Sequence, residues 1–291
     1  THFRRWGRTY TQARWLQAVD SALVQYTATR HRVSWNHLNE FFALGGTGPL
    51  TVRNQEANGT GGSFTVNGVA IETSTEGVTN RAAWTGTFFR SLPVPVQALP
   101  DAGYVFDGWV DTAITNPTPS VFVGDTPVTL VARFRLASAP PHTPTGYEQW
   151  QLANYTEAEI LTGAAATTAV PAGCAGLSNF ELYAFGMNRT DGLTDEQRLT
   201  RASLTISHQD NALWLGYTRL NDSYTDLRYT LKVASQLDDP VAWTDAVVGV
   251  DLDTASVTNV LDAASWFYQV RLLEASADRA ARFFQLEATS Q

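Results

Sequence analysis

The stretch Gly176–Asn188 reads G-L-S-N-F-E-L-Y-A-F-G-M-N and separates a mixed region before it from a strand-rich region after it. Ser178, followed three residues later by Glu181, predicts a capping box, in which the hydroxyl and the carboxylate each satisfy a backbone amide at the start of a helix. Gly186 suits the left-handed residue that ends a helix, which gives about two turns. A helix this short is marginal in water. We therefore expect the strands that follow to pack against the aromatic face of this helix. The helix would then be a structural plug and not a reactive site.

The region after this helix predicts a β-sandwich. Runs rich in β-branched and aromatic residues alternate with turn clusters, and several short strands at this spacing favour two packed sheets. The predicted strands cover residues 202–207, 212–219, 228–235, 247–252, 266–273 and 283–288. Before the capped helix, residues 147–161 predict one further helix.

The first 46 residues predict two amphipathic helices. Apolar residues recur every three or four positions over residues 11–30 and again from Trp35 to Leu44, where Gly45-Gly46 ends the pattern. The stripes contain Trp15, Leu16, Val19, Ala22, Leu23 and Tyr26, and then Trp35, Leu38, Phe41 and Phe42. Two helices offer too little surface to bury both stripes, so we expect the following β-domain, or a second copy of the chain, to cover them.

Residues 47–136 predict a small all-β domain, because apolar residues alternate with period two between short turns. Asn67-Gly68 between 63–66 and 69–71 predicts a tight hairpin. Further strands are expected at 84–89, 94–98, 104–109, 120–123 and 128–134. Residues 137–146 contain three prolines and predict a semi-rigid linker. The predicted domains are therefore 1–46, 47–136 and 147–291, with 137–146 as the linker.

The composition excludes several classes of protein. The chain has 291 residues, a net charge of −8 and only 16% charged residues. Nucleic-acid binding needs a clustered basic surface, and the arginines are scattered. No apolar run is long enough to span a bilayer. A single cysteine, Cys174, excludes an internal disulfide and predicts a small buried residue.

The sequence gives little support for a metal site or for an acid–base pair at the candidate residues. His31 and His37 lie six residues apart beside Glu40, and that spacing does not place the two imidazoles on one helical face. Asp107 and Asp111 flank Trp109 and could form a carboxylate pair of the glycosidase type, but a solvated turn explains them better. Hydrolase, metalloprotease and nucleotide-binding motifs do not occur in the sequence. We assign no catalytic, cofactor-binding or metal residue and expect no enzymatic activity.

Aromatic residues in the β-domain permit two interpretations. Trp84, Tyr104, Phe106 and Trp109 could stack on sugar rings as a platform. Strand alternation predicts instead that at least half of them lie in the core. The structural interpretation is preferred, and sugar binding stays open as the alternative.

Three stretches resemble known bacterial families. The motif G-Y-V-F-D-G-W at Gly103–Trp109, with L-V-A-R-F at 130–134, resembles the internalin B-type repeat of surface proteins. The capped helix at 177–186, an R-x-x-x-x-x-x-D-L-x-Y element at 219–229 and F-F-x-L at 283–286 resemble the C-terminal modules of large secreted proteins. The first 45 residues are similar to the last helices of a CotH-type kinase-like domain, whose nucleotide and metal residues would lie further upstream.

One departure from the C-terminal family changes the metal expectation. That family usually has an aspartate-rich loop before the capped helix, which resembles a calcium site because Ca²⁺ needs several carboxylate oxygens. Residues 171–176 of this chain, P-A-G-C-A-G, contain no carboxylate, so we expect no calcium there.

These features together predict a mainly β, secreted or surface-exposed bacterial protein with a structural or adhesive role. The alternative is a carbohydrate-binding accessory region of a larger secreted enzyme or kinase-like protein. The expected partners are a second copy of the chain or surface glycans, without nucleic acid and without a membrane span.

Overall fold

The computed structural model describes residues 11–235, 241–248, 250–273 and 282–290. The fold is mainly β, with 36% strand and 22% helix, a long N-terminal helix and several sheets, as predicted. The first ten residues of the predicted helical segment and residue 249 lie outside the described residues. None of the helices in the described part of the chain is long and apolar enough to cross a membrane.

The helices are α1 Gln12–Phe42, α2 Gly146–Asn154, α3 Glu157–Leu161, α4 Asn179–Ala184 and α5 Asp195–Arg201. The strands of the first β region are β1 Thr47–Asn54, β2 Gly62–Val66, β3 Val69–Ala70, β4 Ala83–Phe89, β5 Val94–Pro100, β6 Tyr104–Trp109, β7 Ser120–Val121 and β8 Val128–Leu136. Those of the second are β9 Thr205–Gln209, β10 Ala212–Leu220, β11 Leu227–Ala234, β12 Thr244–Asp245, β13 Leu252–Val260, β14 Ser265–Leu272 and β15 Phe283–Ser290.

The first β region contains two four-stranded sheets, ordered β4-β1-β8-β6 and β3-β2-β5-β7. Strand alternation builds the core between them, since Leu50 and Val52 of β1 meet Phe64 and Val66 of β2 in one buried cluster. β1 pairs in parallel with β8, while the other paired strands of this region run antiparallel. Strand β1 is an addition to the sequence prediction, which named no strand before residue 63.

The Asn67-Gly68 hairpin is confirmed. Thr65 pairs with Ala70 and Val66 with Val69. Both turn residues have positive φ, 49° at Asn67 and 80° at Gly68. This is the backbone that a two-residue turn needs to match strand twist, and Asn-Gly adopts it at little cost.

The N-terminal segment is one helix and not two, so that prediction is wrong. α1 runs for 31 residues without interruption, because residues 31–34 include neither glycine nor proline that would break it. It ends at Ala43, whose φ of 51° is left-handed and whose amide reaches back to the last carbonyls. No residue of α1 is buried. Of the second predicted stripe, Trp35 packs on Phe89 of β4, so the expected cover by the chain's own β-domain is only partial among the described residues.

The predicted helix at 147–161 is also two helices. The chain breaks at Tyr155, which is extended at φ −137° and ψ 152°. Thr156 then starts α3 with its own capping box to Glu159, as Thr145 does for α2 with Glu148. A second Thr-x-x-Glu inside a helical pattern favours a new helix start over continuation.

The capped helix is confirmed as α4. Ser178 Oγ accepts from the Glu181 amide, and the Glu181 carboxylate accepts from the Ser178 amide at 2.7 Å. Tyr183 and Ala184 lie in one buried cluster with Leu220 and Leu227, the end of β10 and the start of β11. The strands after α4 therefore hold its apolar face, as expected for so short a helix.

The second β region has one sheet ordered β13-β14-β10-β9 and another ordered β12-β11-β15. Their inner faces share a cluster that includes Leu215 and Tyr217 from one sheet and Leu231 from the other, which is sandwich packing. The strand expected at 247–252 is wrong. The Val247 carbonyl accepts from the amides of Val250, Asp251 and Leu252, so this segment is a tight turn that leads into the unpredicted strand β13.

Candidate functional site

The candidate site is a cleft of about 710 Å³ between the two β regions, referred to below as the central cleft. One wall comes from β6 and β8, another from α2, α3 and α4, and the floor from Asp226 and Leu227 before and in β11. Small-molecule sites typically occupy concave spaces of roughly 300 to 1,000 Å³. The central cleft has the size for a ligand, and its chemistry depends on the side chains that line it.

The wall from the first β region contains several buried apolar side chains. Trp109 is almost fully buried, and its indole Nε1 donates to the Asn116 carbonyl at 2.9 Å. Val128 and Leu130 of β8 are buried beside it. These side chains give the wall its apolar part, and the exposed Asp111 adds a carboxylate to the lining.

Helix α2 contributes polar groups. Tyr147 and Gln151 lie one turn apart on the same face, and the Tyr147 hydroxyl and Gln151 Nε2 both donate to the Ala165 carbonyl at 3.0 Å. Gln151 is only 5% exposed, and its Oε1 has no hydrogen-bond partner among the described residues. A buried acceptor left unpaired costs about 1 to 3 kcal/mol, so a donor from a ligand or water at this oxygen would be stabilising.

Asp226 organises the floor of the central cleft. Its two oxygens accept from the Tyr183 hydroxyl at 2.8 and 2.9 Å, and Oδ2 also accepts from the Tyr147 amide at 3.0 Å. Gly146 permits this approach, because a Cβ there would lie 2.2 Å from the Tyr183 hydroxyl oxygen. Burial, and then the hydrogen bond to Asp226, raise the pKa of Tyr183, and burial raises that of Tyr147. Both hydroxyls therefore stay neutral at ordinary pH.

Glu148 is a buried carboxylate at the same end of α2. Its Oε2 accepts from the Thr145 amide at 2.8 Å and forms a 2.8 Å hydrogen bond with Nε2 of His142. Together with Asp226 and Gln151 Oε1, it makes the lining rich in acceptors. Such a lining suits a ligand that carries several hydroxyl or amine donors and one apolar face.

The carboxylate pair considered in the sequence is not a pair. Asp107 Oδ1 accepts from Arg135 Nε at 2.8 Å and its Oδ2 accepts from the His142 amide at 3.0 Å. Asp111 is exposed in a turn at φ 61°. Asp107 is therefore a nearly buried strand residue with structural partners, so the interpretation as a solvated turn is wrong for it. That interpretation holds for Asp111, which is exposed and lines the central cleft.

The aromatic platform does not form as one exposed surface. Trp109 is buried, and Phe106 and Trp84 are partly buried against the first core. The rings of Phe106 and Trp109 pack edge to face with centroids 5.2 Å apart. Core packing accounts for three of the four residues, and only Trp109 also reaches the central cleft.

The remaining candidates are separate from the cleft. His31, His37 and Glu40 are exposed along α1, and no group of three His, Cys, Asp or Glu that could hold a metal occurs among the described residues. Cys174 is buried as predicted, and burial raises the pKa of its thiol. A thiol of this kind is a poor nucleophile.

Sequence reasoning named Trp109 and Asp111, which line the cleft, but missed the polar residues of its helical wall and floor. Thr145-x-x-Glu148 is a capping box that could have been found from its spacing. Asp226 and Tyr229 entered only as letters of the R-x-x-x-x-x-x-D-L-x-Y element. In the structure Asp226 holds Tyr183, and the Tyr229 hydroxyl donates to the Ala184 carbonyl and accepts from the Leu220 amide. The element therefore ties α4 to the sandwich.

Comparison with known proteins gives one match. Residues 56–138 match the family model of the divergent InlB B-repeat domain, which covers β2 to β8. No curated protein and no solved structure matches the chain. The match agrees with the resemblance drawn from Gly103–Trp109, while the resemblances drawn for the first 45 residues and for the C-terminal region are without support from these comparisons.

Proposed function

We propose that this chain is a non-catalytic part of a secreted or surface-exposed bacterial protein, with a structural or adhesive role. The observation that supports it most is the match of residues 56–138 to a repeat that occurs in surface proteins. The neutral Tyr147 and Tyr183 and the structural role of Asp107 support a role without chemistry.

The way the linker is held supports a mechanical role. Arg135, in β8, donates from Nε to Asp107 and from Nη1 to the Ala139 carbonyl at 2.6 Å. His142 donates its amide to Asp107 and pairs its ring with Glu148 of α2. Asp107, Arg135, His142 and Glu148 are called the linker clamp below. The linker clamp attaches the Pro-rich segment to the first β region and to α2. A tensile force on the first β region would therefore be transmitted to α2 through these hydrogen bonds.

The location is tested on intact cells of the source organism with antibodies raised against the 291-residue chain. Labelling of intact cells, lost after brief external proteolysis, is the expected result. Labelling that appears only after the cells are permeabilised would contradict an extracellular or surface location.

Carbohydrate binding is the second candidate, and the central cleft is the observation that favours it. Sugars combine hydroxyl donors with an apolar ring face, which fits the acceptors Gln151 Oε1, Glu148 and Asp226 beside the partly exposed Phe180. This assignment differs from the aromatic platform considered in the sequence, because it relies on the helical wall and not on strand residues.

Binding to a glycan array, followed by calorimetric titration of each hit, tests this candidate. Gln151→Met keeps the side-chain volume but removes the buried acceptor, so affinity should fall about three- to tenfold, the value of one hydrogen bond. Gln149→Met is the matched control, since Gln149 is exposed on the same helix and does not line the central cleft. An array without hits, or equal affinities for both variants, would exclude sugar binding in the central cleft.

A further inference from the structure

Helix α1 carries an outward apolar stripe that the described part of the chain leaves largely exposed. The six residues Trp15, Val19, Leu23, Tyr26, Val33 and Phe41 are called the α1 stripe. At 3.6 residues per turn they fall within about a quarter of the helix circumference. Trp15 is 45% exposed, Leu23 56%, Tyr26 52%, Val33 42% and Phe41 81%.

The opposite side of α1 faces the first β region. The ring of Trp35 packs on Phe89 with centroids 4.7 Å apart, and Asn39 Oδ1 accepts from the Gly46 amide at 2.6 Å. Trp35 and Asn39 lie about half a turn around the helix from the α1 stripe. The described β strands therefore contact the side of α1 that points away from the stripe, which explains why they do not cover it.

The size of the α1 stripe suits a partner of its own kind. Three aromatic and three aliphatic side chains, of which Val19 is partly buried and the other five are exposed, present on the order of 600 Å² of apolar surface. A stable interface buries roughly 800 Å² on each partner, so the α1 stripe with its polar rim approaches the area that one helix needs to pair with another. Val19, Tyr26 and Val33 also recur every seven residues, the spacing of a helix–helix seam.

We propose that the α1 stripe binds the α1 stripe of a second copy of this chain, with the two helices antiparallel. The α1 stripe is centred on Ala28. An antiparallel pair centred there sets Trp15 against Phe41 of the second copy and Leu23 against Val33. Tyr26 then meets Arg30 of the second copy, a pairing of ring and guanidinium that is favourable.

The charge of Arg30 in the contact between the two helices favours the antiparallel pair over the parallel one. Arg30 lies inside the arc of the α1 stripe, where its guanidinium already covers the Tyr26 ring of the same helix at 4.7 Å. A parallel in-register pair would bring the two Arg30 side chains to the same height, and like charges at such positions are destabilising. The antiparallel pair places the two Arg30 side chains on opposite sides of Ala28, each beside Tyr26 of the other copy. This inference is independent of where the protein resides.

Sedimentation equilibrium of the 291-residue chain tests the pairing. The expected mass is twice 31.8 kDa at micromolar concentration. Leu23→Asp places a charge at the seam and should raise the dissociation constant on the order of 100-fold. Val24→Asp is the matched control, because Val24 is 65% exposed on the same helix but lies outside the α1 stripe, and it should leave the mass unchanged. Circular dichroism confirms that both variants keep the helix.

Cross-linking tests the direction. Val19→Cys and His37→Cys variants, each in a Cys174→Ala background, are mixed with a short bismaleimide. The antiparallel pair sets residue 19 of one copy against residue 37 of the other and keeps the two residues 19 about 27 Å apart. The mixture should form covalent dimers and each variant alone should not. A wild-type chain that stays monomeric, equal effects of Leu23→Asp and Val24→Asp, or self-cross-linking of one variant alone would overturn the proposal.

Discussion

Gly186 shows how a single backbone position can fix the junction between α4 and the sandwich. Its φ is +65°, and a Cβ added there would lie 2.8 Å from Cβ of Ser265. Both the left-handed conformation and the close approach to β14 therefore require glycine. The sequence predicted the first requirement from the position of Gly186 at a helix end. The second arises from a residue 79 positions away, which local patterns do not report.

Substitutions at the two ends of α4 should destabilise the C-terminal region to different degrees. Ser178→Ala removes the cap and should cost about 1 kcal/mol of unfolding free energy. Gly186→Val should cost more, since it adds a clash with Ser265 to the left-handed strain of about 1 to 3 kcal/mol. Gly192→Val isolates the strain, because Gly192 has φ +75° with open space around it. Urea unfolding measures all three, and equal losses for the two glycine variants would contradict the clash.

Buried tyrosines should make the fold sensitive to alkali. Burial is the main cause that raises the pKa of Tyr217 and of Tyr229 to about 12. The unfolded tyrosine ionises near pH 10, so the folded state keeps a proton that the unfolded state has lost. The stabilisation is fully present below about pH 10 and is lost as the pH rises towards 12, with a slope of up to about 1.4 kcal/mol per pH unit for each tyrosine.

Tyr217→Phe removes one of these ionisations and should flatten the decline of unfolding free energy between about pH 10 and 12. Tyr229→Phe should flatten it too, but should also lower stability at neutral pH, because it removes the hydrogen bonds with Ala184 and Leu220. Urea unfolding across this pH range gives both values. If unfolding free energy falls with pH as steeply in Tyr217→Phe as in the wild type, the pKa of Tyr217 is the same in the folded and unfolded states.

At the scale of elements, local signals decided which predictions held. Asn67-Gly68 and Ser178-x-x-Glu181 each encode their geometry within four residues, and both are confirmed. The α1 prediction failed because periodicity locates apolar faces but does not distinguish one long helix from two. The central cleft could not be predicted, since Asp226 meets Tyr147 across 79 residues and this contact exists only once α2 packs on β11.

The linker clamp is the element-scale feature that a mutation can test. Arg135→Gln leaves the Asp107 carboxylate, a nearly buried group, without its charged donor, and the cost should be about 1.5 to 3 kcal/mol. Adding Asp107→Asn should recover part of this loss, because the second change removes the unpaired charge. A broad-specificity protease should cut residues 137–146 faster in Arg135→Gln than in the wild type. Additive losses in the double variant and unchanged cleavage would show that the clamp does not hold the linker.

At the scale of the whole molecule, the two β regions are connected by helices α2 and α3 as well as by the linker. Helix α3 follows the predicted boundary at 137–146, yet its Ile160 and Leu161 are buried in the same cluster as Leu130 and Trp109 of the first β region. Helix α2 directly precedes α3, and the amide of its Tyr147 donates to Asp226 at the edge of the second region. The pair α2–α3 thus bridges the two regions, and it forms the wall of the central cleft between them.

This bridge predicts how fragments of the chain should behave. A fragment of residues 47–136 follows the predicted domain but lacks α3, whereas a fragment of residues 47–166 includes it. Burying Ile160 and Leu161 contributes roughly 1.5 to 3 kcal/mol each, so the longer fragment should be more stable by several kcal/mol in urea unfolding. Ile160→Ala in the longer fragment should remove about 2 to 5 kcal/mol, while Leu152→Ala, at an exposed position of α2, should remove little. Equal stability of the two fragments would instead place the domain boundary at residues 137–146 and make α3 an attachment that the first β region does not need.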